Sequence, residues 1–312
     1  MALTIYIWLR YPKRVLYFIR RTGRVPDAVF PSTVNEKFFW RKLFDHDPRF
    51  VVLSDKLACK RWVAERVPEL AMAKVRWVGE NLDCMPARLK EQDVVLKANH
   101  SCGTNLFLSQ EHFTESELKK IVSGWLDVNH GDEHGEWAYS RVCRKLFVED
   151  RIRPAKGNTL SEVKIFTFAD TVIRVIHIVG RFGEIRAKAW DVKDTGELVL
   201  SREKAAIAPD DASLRPPADI DYALSLAKKL GAGFDQLRVD FLYDGETWWL
   251  GELTVYNQAG YMYIASASDA SSPLSKAWDL RNSWFLQSNS LPLLKRCYAQ
   301  VLRRHLRRYP GF

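Results

Sequence analysis

Paired cysteines, long apolar runs, internal repeats and low-complexity tracts are all missing from this chain of 312 residues. Its five cysteines, at positions 59, 84, 102, 143 and 297, are odd in number and include no Cys-x-x-Cys. This excludes a disulfide framework and a thiolate zinc site, and it fits a reducing cytosol. The opening stretch, "MALTIYIWLRYPKRVLYFIRRTGR", has no uninterrupted apolar core, which excludes both a signal peptide and a transmembrane span there. Acidic residues are missing from the two ends: residues 1–24 and 295–312 each carry six Lys/Arg and no Asp or Glu. With those twelve set aside, 35 basic residues face 38 acidic ones, so the body is near −3 although the whole chain is +9. A nucleic-acid binder spreads a basic stripe over its folded surface, so no nucleic-acid partner is expected.

What is present is globular. Hydrophobic residues make up 47% and charged residues 27%, in a chain long enough for one large domain or two smaller ones. The eleven tryptophans are scattered and read as core and groove residues. In residues 1–24, Ile5, Trp8, Leu9, Val15, Leu16 and Ile19 interleave with Arg10, Lys13, Arg14, Arg20 and Arg21, and Pro12 divides the stretch into two short pieces. Two readings stand: a basic amphipathic element lying on an anionic membrane surface, or a terminal helix packed on the body with its charges in water.

Periodicity predicts an α+β fold of antiparallel sheets with helices on one side. Helices are expected over 55–67, 114–129, 219–230 and 291–309, the second with Thr114 and Glu117 as a capping box. Strands are expected at "AKVRWV", "DVVLKANH" and "KLFVEDRI". A meander of "EVKIFTF", "TVIRVIHIV" and "EIRAKAW" follows, and then a hairpin, "RVDFLYDGETWWLGELT" (238–254).

That hairpin places its charges oddly. Arg238, Asp240 and Leu242 share one face, as do Leu250, Glu252 and Thr254. If the loop is the three residues 245–247, Asp240 stands opposite Glu252, and Arg238 opposite Thr254. Like charges so opposed are destabilising. A one-residue slip would part the acids, Arg238 would neutralise them, or a divalent cation such as Mg²⁺ would bridge them. Lys97 ends an apolar strand before a polar loop with a single glycine, Gly103. It reads either as a phosphate ligand, with the amides of 101–105 closing over the same anion, or as a lysine snorkelling to water. Glu149 ends the strand "KLFVED", Glu162 and Lys164 share a strand face, and Arg174 lies on the neighbouring strand. Each alone is a surface charge. Together they describe lysines for phosphates, carboxylates for magnesium and an arginine for developing charge.

In this order the stretches "NEKFFWRKLFDHDPRF", "LSDKLACKRWVAERV", "VVLKANHSCGTN", "FVEDRI", "EVKIFTF" and "LRVDFLYDGETWWLGELT" resemble the ATP-grasp superfamily, and within it the TupA-like proteins of surface-polysaccharide and teichuronopeptide biosynthesis. The resemblance spans roughly residues 33–260. It implies two α/β subdomains whose antiparallel sheets grip ATP, with basic helical segments at both ends. The expected divisions are a basic N-terminal segment (1–32), an N-terminal helical α/β subdomain (33–92), a subdomain with a flexible phosphate loop (93–150), a C-terminal subdomain with the metal site (151–290), and a basic helix (291–312). Lys56 and Lys97 would be the nucleotide-phosphate lysines, and the loop carrying Ser101, Gly103 and Thr104 the flap over ATP. Glu149 would lie at the adenine hinge, Glu162 near the ribose, and Lys164 at the triphosphate. Asp240 and Glu252 would hold Mg²⁺, and Arg238 would steady an acyl phosphate. Two departures stand out. The flap is poorer in glycine than in relatives, and the usual Glu-x-Asn metal pair is here Glu252-Leu253-Thr254, so Thr254 is a weaker metal ligand.

The resemblance implies an ATP-dependent carboxylate–amine ligase. Its acid would be a uronic acid or peptide of a glycan, presented as a sugar nucleotide or lipid-linked precursor, and its amine an amino acid. It would work in the cytoplasm, peripherally on the inner face of the cell membrane. Two alternatives stand beside it: a glycan kinase on the same nucleotide site, and a non-catalytic glycan- or membrane-binding protein on a degenerate nucleotide fold. Specificity is expected in the loops 190–216 and 255–290.

Overall fold

A computed structural model describes residues 2–110, 113–129, 131, 134–181 and 183–309, so the outermost residues of both basic ends lie outside the described part. The chain is mixed α+β, with two sheets. Strands β1 (Val75–Gly79), β2 (Val94–Ala98), β3 (Asn105–Phe107) and β4 (Leu146–Asp150) form the antiparallel order β1-β4-β2-β3. Strands β5 (Ser161–Phe168), β6 (Thr171–Val179), β7 (Arg186–Val192), β8 (Leu198–Leu200), β9 (Leu237–Tyr243) and β10 (Trp248–Thr254) take the order β10-β9-β5-β6-β7-β8. The chain divides into two compact units, one of residues 1–47, 161–240 and 254–312, the other of 48–160 and 241–253.

In the first unit, β5 to β8 pair antiparallel in succession, and the helix Ile220–Gly231 buries Ala223, Leu226, Ala227 and Leu230 against the sheet. The helix ends in glycine because a Cβ on Gly231 would sit 2.4 Å from Thr167 Oγ1. The helix Val34–Leu43 begins in a capping box of Thr33 and Glu36 and buries Phe38, Phe39 and Trp40. It also buries three cations. Lys37 donates to the carbonyls of Ser275 (2.7 Å) and Trp278 (2.8 Å), and Arg41 to Asp235 (2.7 Å) and the Val255 carbonyl (2.8 Å). Lys42 donates to the Ala259 carbonyl at 2.5 Å. Buried charge is tolerated only when it is satisfied in this way. Its effect is to fasten the segment 255–278 to the unit.

The N-terminal stretch forms two helices, Ala2–Arg10 and Pro12–Thr22, broken at Pro12 as expected. They bury Ile7, Val15 and Phe18 and expose Ile5, Tyr6, Leu9 and Leu16. The basic helix Leu293–Arg308 buries Tyr298, Leu302 and Leu306. Among the described residues no helix is long and apolar enough to cross a membrane.

In the second unit, Leu96, Ala98, Leu146 and Val148 of the sheet meet Leu118 and Val122 of the helix Glu115–Asp127 in one apolar cluster. Thr114 and Glu117 close the expected capping box on that helix. The helix Lys56–Arg66 is capped by Asp55, whose carboxylate accepts from the amides of Leu57 and Ala58. The hairpin tip is held by Asp244. The Asp244 amide donates to the Thr247 carbonyl at 3.3 Å, and Asp244 Oδ1 accepts from the amides of Glu246 and Thr247. Residues 244–247 join the two strands, and the rings of Tyr243 and Trp248 stack at 4.5 Å.

Candidate functional site

The candidate residues gather in two clusters, one per unit. In the first, Lys164 on β5 donates to Glu162 on the same strand face and to Asp240 Oδ2 on β9 at 2.7 Å. Arg238 closes on Asp240 with two bonds, Nε to Oδ1 at 2.6 Å and Nη2 to Oδ2 at 2.7 Å. Its Nη2 also donates to the Thr254 hydroxyl at 3.0 Å. Burial pushes the Asp240 carboxyl up, but Arg238 and Lys164 outweigh it, so the group ionises below the ordinary aspartate range. Arg181, which spacing did not single out, lies 2.6 Å from Glu162 Oε2. Arg174 is held by Asp191 (2.8 Å), Glu203 (3.0 Å) and Ser201 (3.2 Å). It lines the cavity that Lys164 and Arg238 also line.

In the second unit Lys97 finds its anion in Glu149, at 2.6 Å, and Lys60 lies 2.9 Å from the other oxygen of that carboxylate. The reason is register. Val95 pairs with Glu149 and Lys97 with Phe147, so Lys97 and Glu149 are diagonal neighbours on one face. Burial pushes Glu149 up, and the two lysines more than reverse this, so its pKa falls below the ordinary glutamate value. Lys60 is one helical turn beyond Lys56, and this spacing was its only signal.

Lys56 donates to the carbonyls of Ala98 (3.3 Å) and Ser101. Burial lowers its pKa, and Glu252 acts against that drop. The loop 101–104 is braced by a hydroxyl contact of 2.8 Å between Ser101 and Thr104, with Gly103 at φ 73° and its side exposed. Asn99, wholly buried, ties the loop base together: its side chain bonds Asp55, the Cys143 carbonyl and the Lys145 amide.

Asp240 is neutralised by Lys164 and Arg238, whereas Glu252 takes part in no ion pair among the described residues and lies where its charge acts on Lys56 and Cys102. Among the described residues no group of three or more His, Cys, Asp and Glu side chains is arranged to hold a metal. Carboxylate and hydroxyl oxygens are nevertheless the donor types that a hard cation such as Mg²⁺ takes. The Thr254 hydroxyl is already used as an acceptor by Arg238.

Solved structures with distant likeness include a D-alanine–D-alanine ligase from Bacillus anthracis, 13% identical over 65% of this chain and 57% of that one, with a TM-score of 0.36. The ATP-grasp ligase PsnB, complexed with a phosphomimetic variant of its minimal precursor, Mg and ADP, is 12% identical over 77% of this chain and 62% of that one, with a TM-score of 0.42. This chain spans less than two thirds of either, and likeness at that level carries no argument. No curated protein matches the chain. The model of the TupA-like ATP-grasp family matches residues 36–270, well over half of the sequence, and the chain belongs to that family.

Proposed function

We propose that this protein is an ATP-dependent ligase that joins a carboxylate to an amine. The observation that carries the reading is the grip of Lys164 and the Arg238 fork on buried Asp240, at the edge of a cavity lined by further cations. A carboxylate oxygen of the acid attacks the γ-phosphorus of ATP. The new O–P bond forms as the bond to the β–γ bridging oxygen breaks, and ADP leaves. The amine nitrogen then attacks the acyl carbon. The C–N bond forms, the C–O bond to phosphate breaks with its electrons going to phosphate, and the amine proton passes to solvent.

Arg238 and Lys164 are the catalytic pair in this scheme. Lys164 holds phosphate oxygens, and Arg238, with its planar fork, steadies the acyl phosphate and the charge of the tetrahedral species. Lys56, Lys97 and the loop of Ser101, Gly103 and Thr104 hold the nucleotide phosphates. Glu149 serves the adenine end, and Glu162 the ribose. Asp240 and Glu252 are the carboxylates for Mg²⁺, with Thr254 a weaker donor. When bound, the ion supplies positive charge to the β- and γ-phosphate oxygens. The acid is a uronic acid or a peptide of a surface glycan and the amine an amino acid. The basic ends hold either the acidic, lipid-linked precursor or the anionic inner leaflet where it is built.

The test is ADP release from Mg-ATP with uronic acids and amino acids, with hydroxylamine added as a trap. An acyl phosphate yields a hydroxamate. ADP without hydroxamate identifies a kinase, and the absence of ADP across the panel leaves a binding protein; either result overturns the ligase reading.

A further inference from the structure

Beside Lys164 and Arg238 lies a cavity that belongs wholly to the first unit. Its floor is one sheet face. Phe166 pairs with Arg174, Lys164 with Ile176, and Ile176 with Ala189, and all five residues line the cavity. Its walls come from residues 204–207 and from 257, 258, 262 and 264. Among the described residues four cations, Lys164, Arg174, Lys204 and Arg238, line it, and no acid does. The carboxylates that neutralise three of them, Asp240, Glu162, Asp191 and Glu203, stay out of the lining. Lys204 has no carboxylate partner among the described residues.

A second feature points to a ligand. Asn257 lines the same cavity, is 2% exposed, and its Oδ1 has no hydrogen-bond partner among the described residues. A buried acceptor left open costs about 1–3 kcal/mol, which a ligand donor relieves. The turn that presents it is held against its preference, with Gln258 and Ala259 at φ 50° and 53°. Lys42 fastens it through the Ala259 carbonyl.

We infer that the acid substrate is a dianion. Its reacting carboxylate lies at Lys164 and Arg238, a second anionic group lies at Lys204 and Arg174, and a hydroxyl or N–H between them donates to Asn257 Oδ1. Its carbon skeleton rests on Phe166 and Ile176. The inference builds on the ligase reading and adds the substrate class. The second anion is a carboxylate or a phosphate, and both match the same cations.

The test compares D-glucuronate with D-glucarate and with D-glucuronate 1-phosphate, which add a carboxylate and a phosphate respectively. ADP release is followed with hydroxylamine as the amine. KM for at least one dianion should be lower than for glucuronate by about tenfold or more, the scale of one charge-assisted contact. Lys204→Gln should remove most of that advantage without changing kcat or the KM for glucuronate, and Lys204→Arg should restore it. Equal KM values for all three acids, or an equal loss for all three in Lys204→Gln, overturn the inference while the ligase reading stands. If none of the three supports ADP release, calorimetric binding of D-glucarate without nucleotide decides the point. Binding that Lys204→Gln weakens about tenfold supports the dianion pocket, and no binding to the parent overturns it.

Discussion

Asp240 gives both of its carboxylate oxygens to the Arg238 fork, at 2.6 and 2.7 Å, while Lys164 reaches Oδ2 at 2.7 Å. The charge of Asp240 is therefore offset in the protein without any metal. Asp240→Asn should leave two largely buried cations short of their anion. The melting temperature of the nucleotide-free protein should fall, by an amount corresponding to about 3 kcal/mol. Mg-ATP turnover should vanish as well. Thermal denaturation and ADP release check the pair of effects, and a variant as stable as the parent would falsify the account of Asp240.

Arg238→Lys separates charge from shape. The lysine keeps a cation near Asp240 but loses the planar fork that meets both oxygens. Nucleotide binding by calorimetry should largely survive while kcat falls by about a hundredfold or more, on the scale of losing one oriented donor to a charged intermediate. A proportional loss of binding and turnover would count against a role for Arg238 beyond holding Asp240.

Capping boxes such as Thr114–Glu117 are local, so four residues suffice to see them. The meander strands alternate visibly, and the cavity walls at 204–207 and 257–264 fall within the loops expected to carry specificity. The Lys97–Glu149 pair was hidden because it depends on the register of β2 and β4, across 52 residues of sequence. The turn itself is legible in Asp244-Gly245, because an aspartate there caps the amides two and three residues on. The burial of Lys37, Arg41 and Lys42 was not legible, since their partners lie 194 to 241 residues away.

Glu149 is shared by Lys97 and Lys60, so the two lysines should not be equivalent to one. Lys97→Ala leaves Glu149 its Lys60 contact, and apo stability should change by less than about 1 kcal/mol because Lys97 is partly open to solvent. As a phosphate ligand its loss should raise the ATP concentration for half-maximal turnover about tenfold or more. Lys97→Ala combined with Lys60→Ala strands a buried carboxylate and should destabilise more than the two single changes add to. Equal ATP dependence in Lys97→Ala and the parent would return Lys97 to a purely structural pairing.

Burial lowers the pKa of the Lys37 ammonium to about 8, against an ordinary lysine value of 10.5. The unfolded chain therefore binds the proton more tightly than the folded one. The cost is fully present at pH 7 and is relieved as pH rises from about 8 to 10.5, because the unfolded state holds more protons throughout that window. Relative to Lys37→Met, the parent should gain stability across the window, by up to about 3 kcal/mol. Urea denaturation of both proteins at pH 7.5 and pH 10 reads the difference, and parallel behaviour would rule out a titrating Lys37.

The N-terminal helices carry two demands at once. Ile7, Val15 and Phe18 are buried, with Phe18 edge-on to Phe39 at 5.3 Å, so deleting residues 1–24 would damage the fold and confuse the result. Leu9 and Leu16, 78% and 60% exposed, stand among Arg10, Lys13 and Arg14 and make no such contribution to the core. If this face lies on an anionic bilayer, Leu9→Glu with Leu16→Glu should reduce cosedimentation with vesicles containing phosphatidylglycerol by about tenfold or more. The melting temperature should stay within a degree or so, as surface changes usually allow. Raising the salt from 0.1 M should weaken binding of the parent too, because exposed charges are screened within about 10 Å there. Vesicle binding that ignores both the double change and salt would leave these helices as packing elements alone.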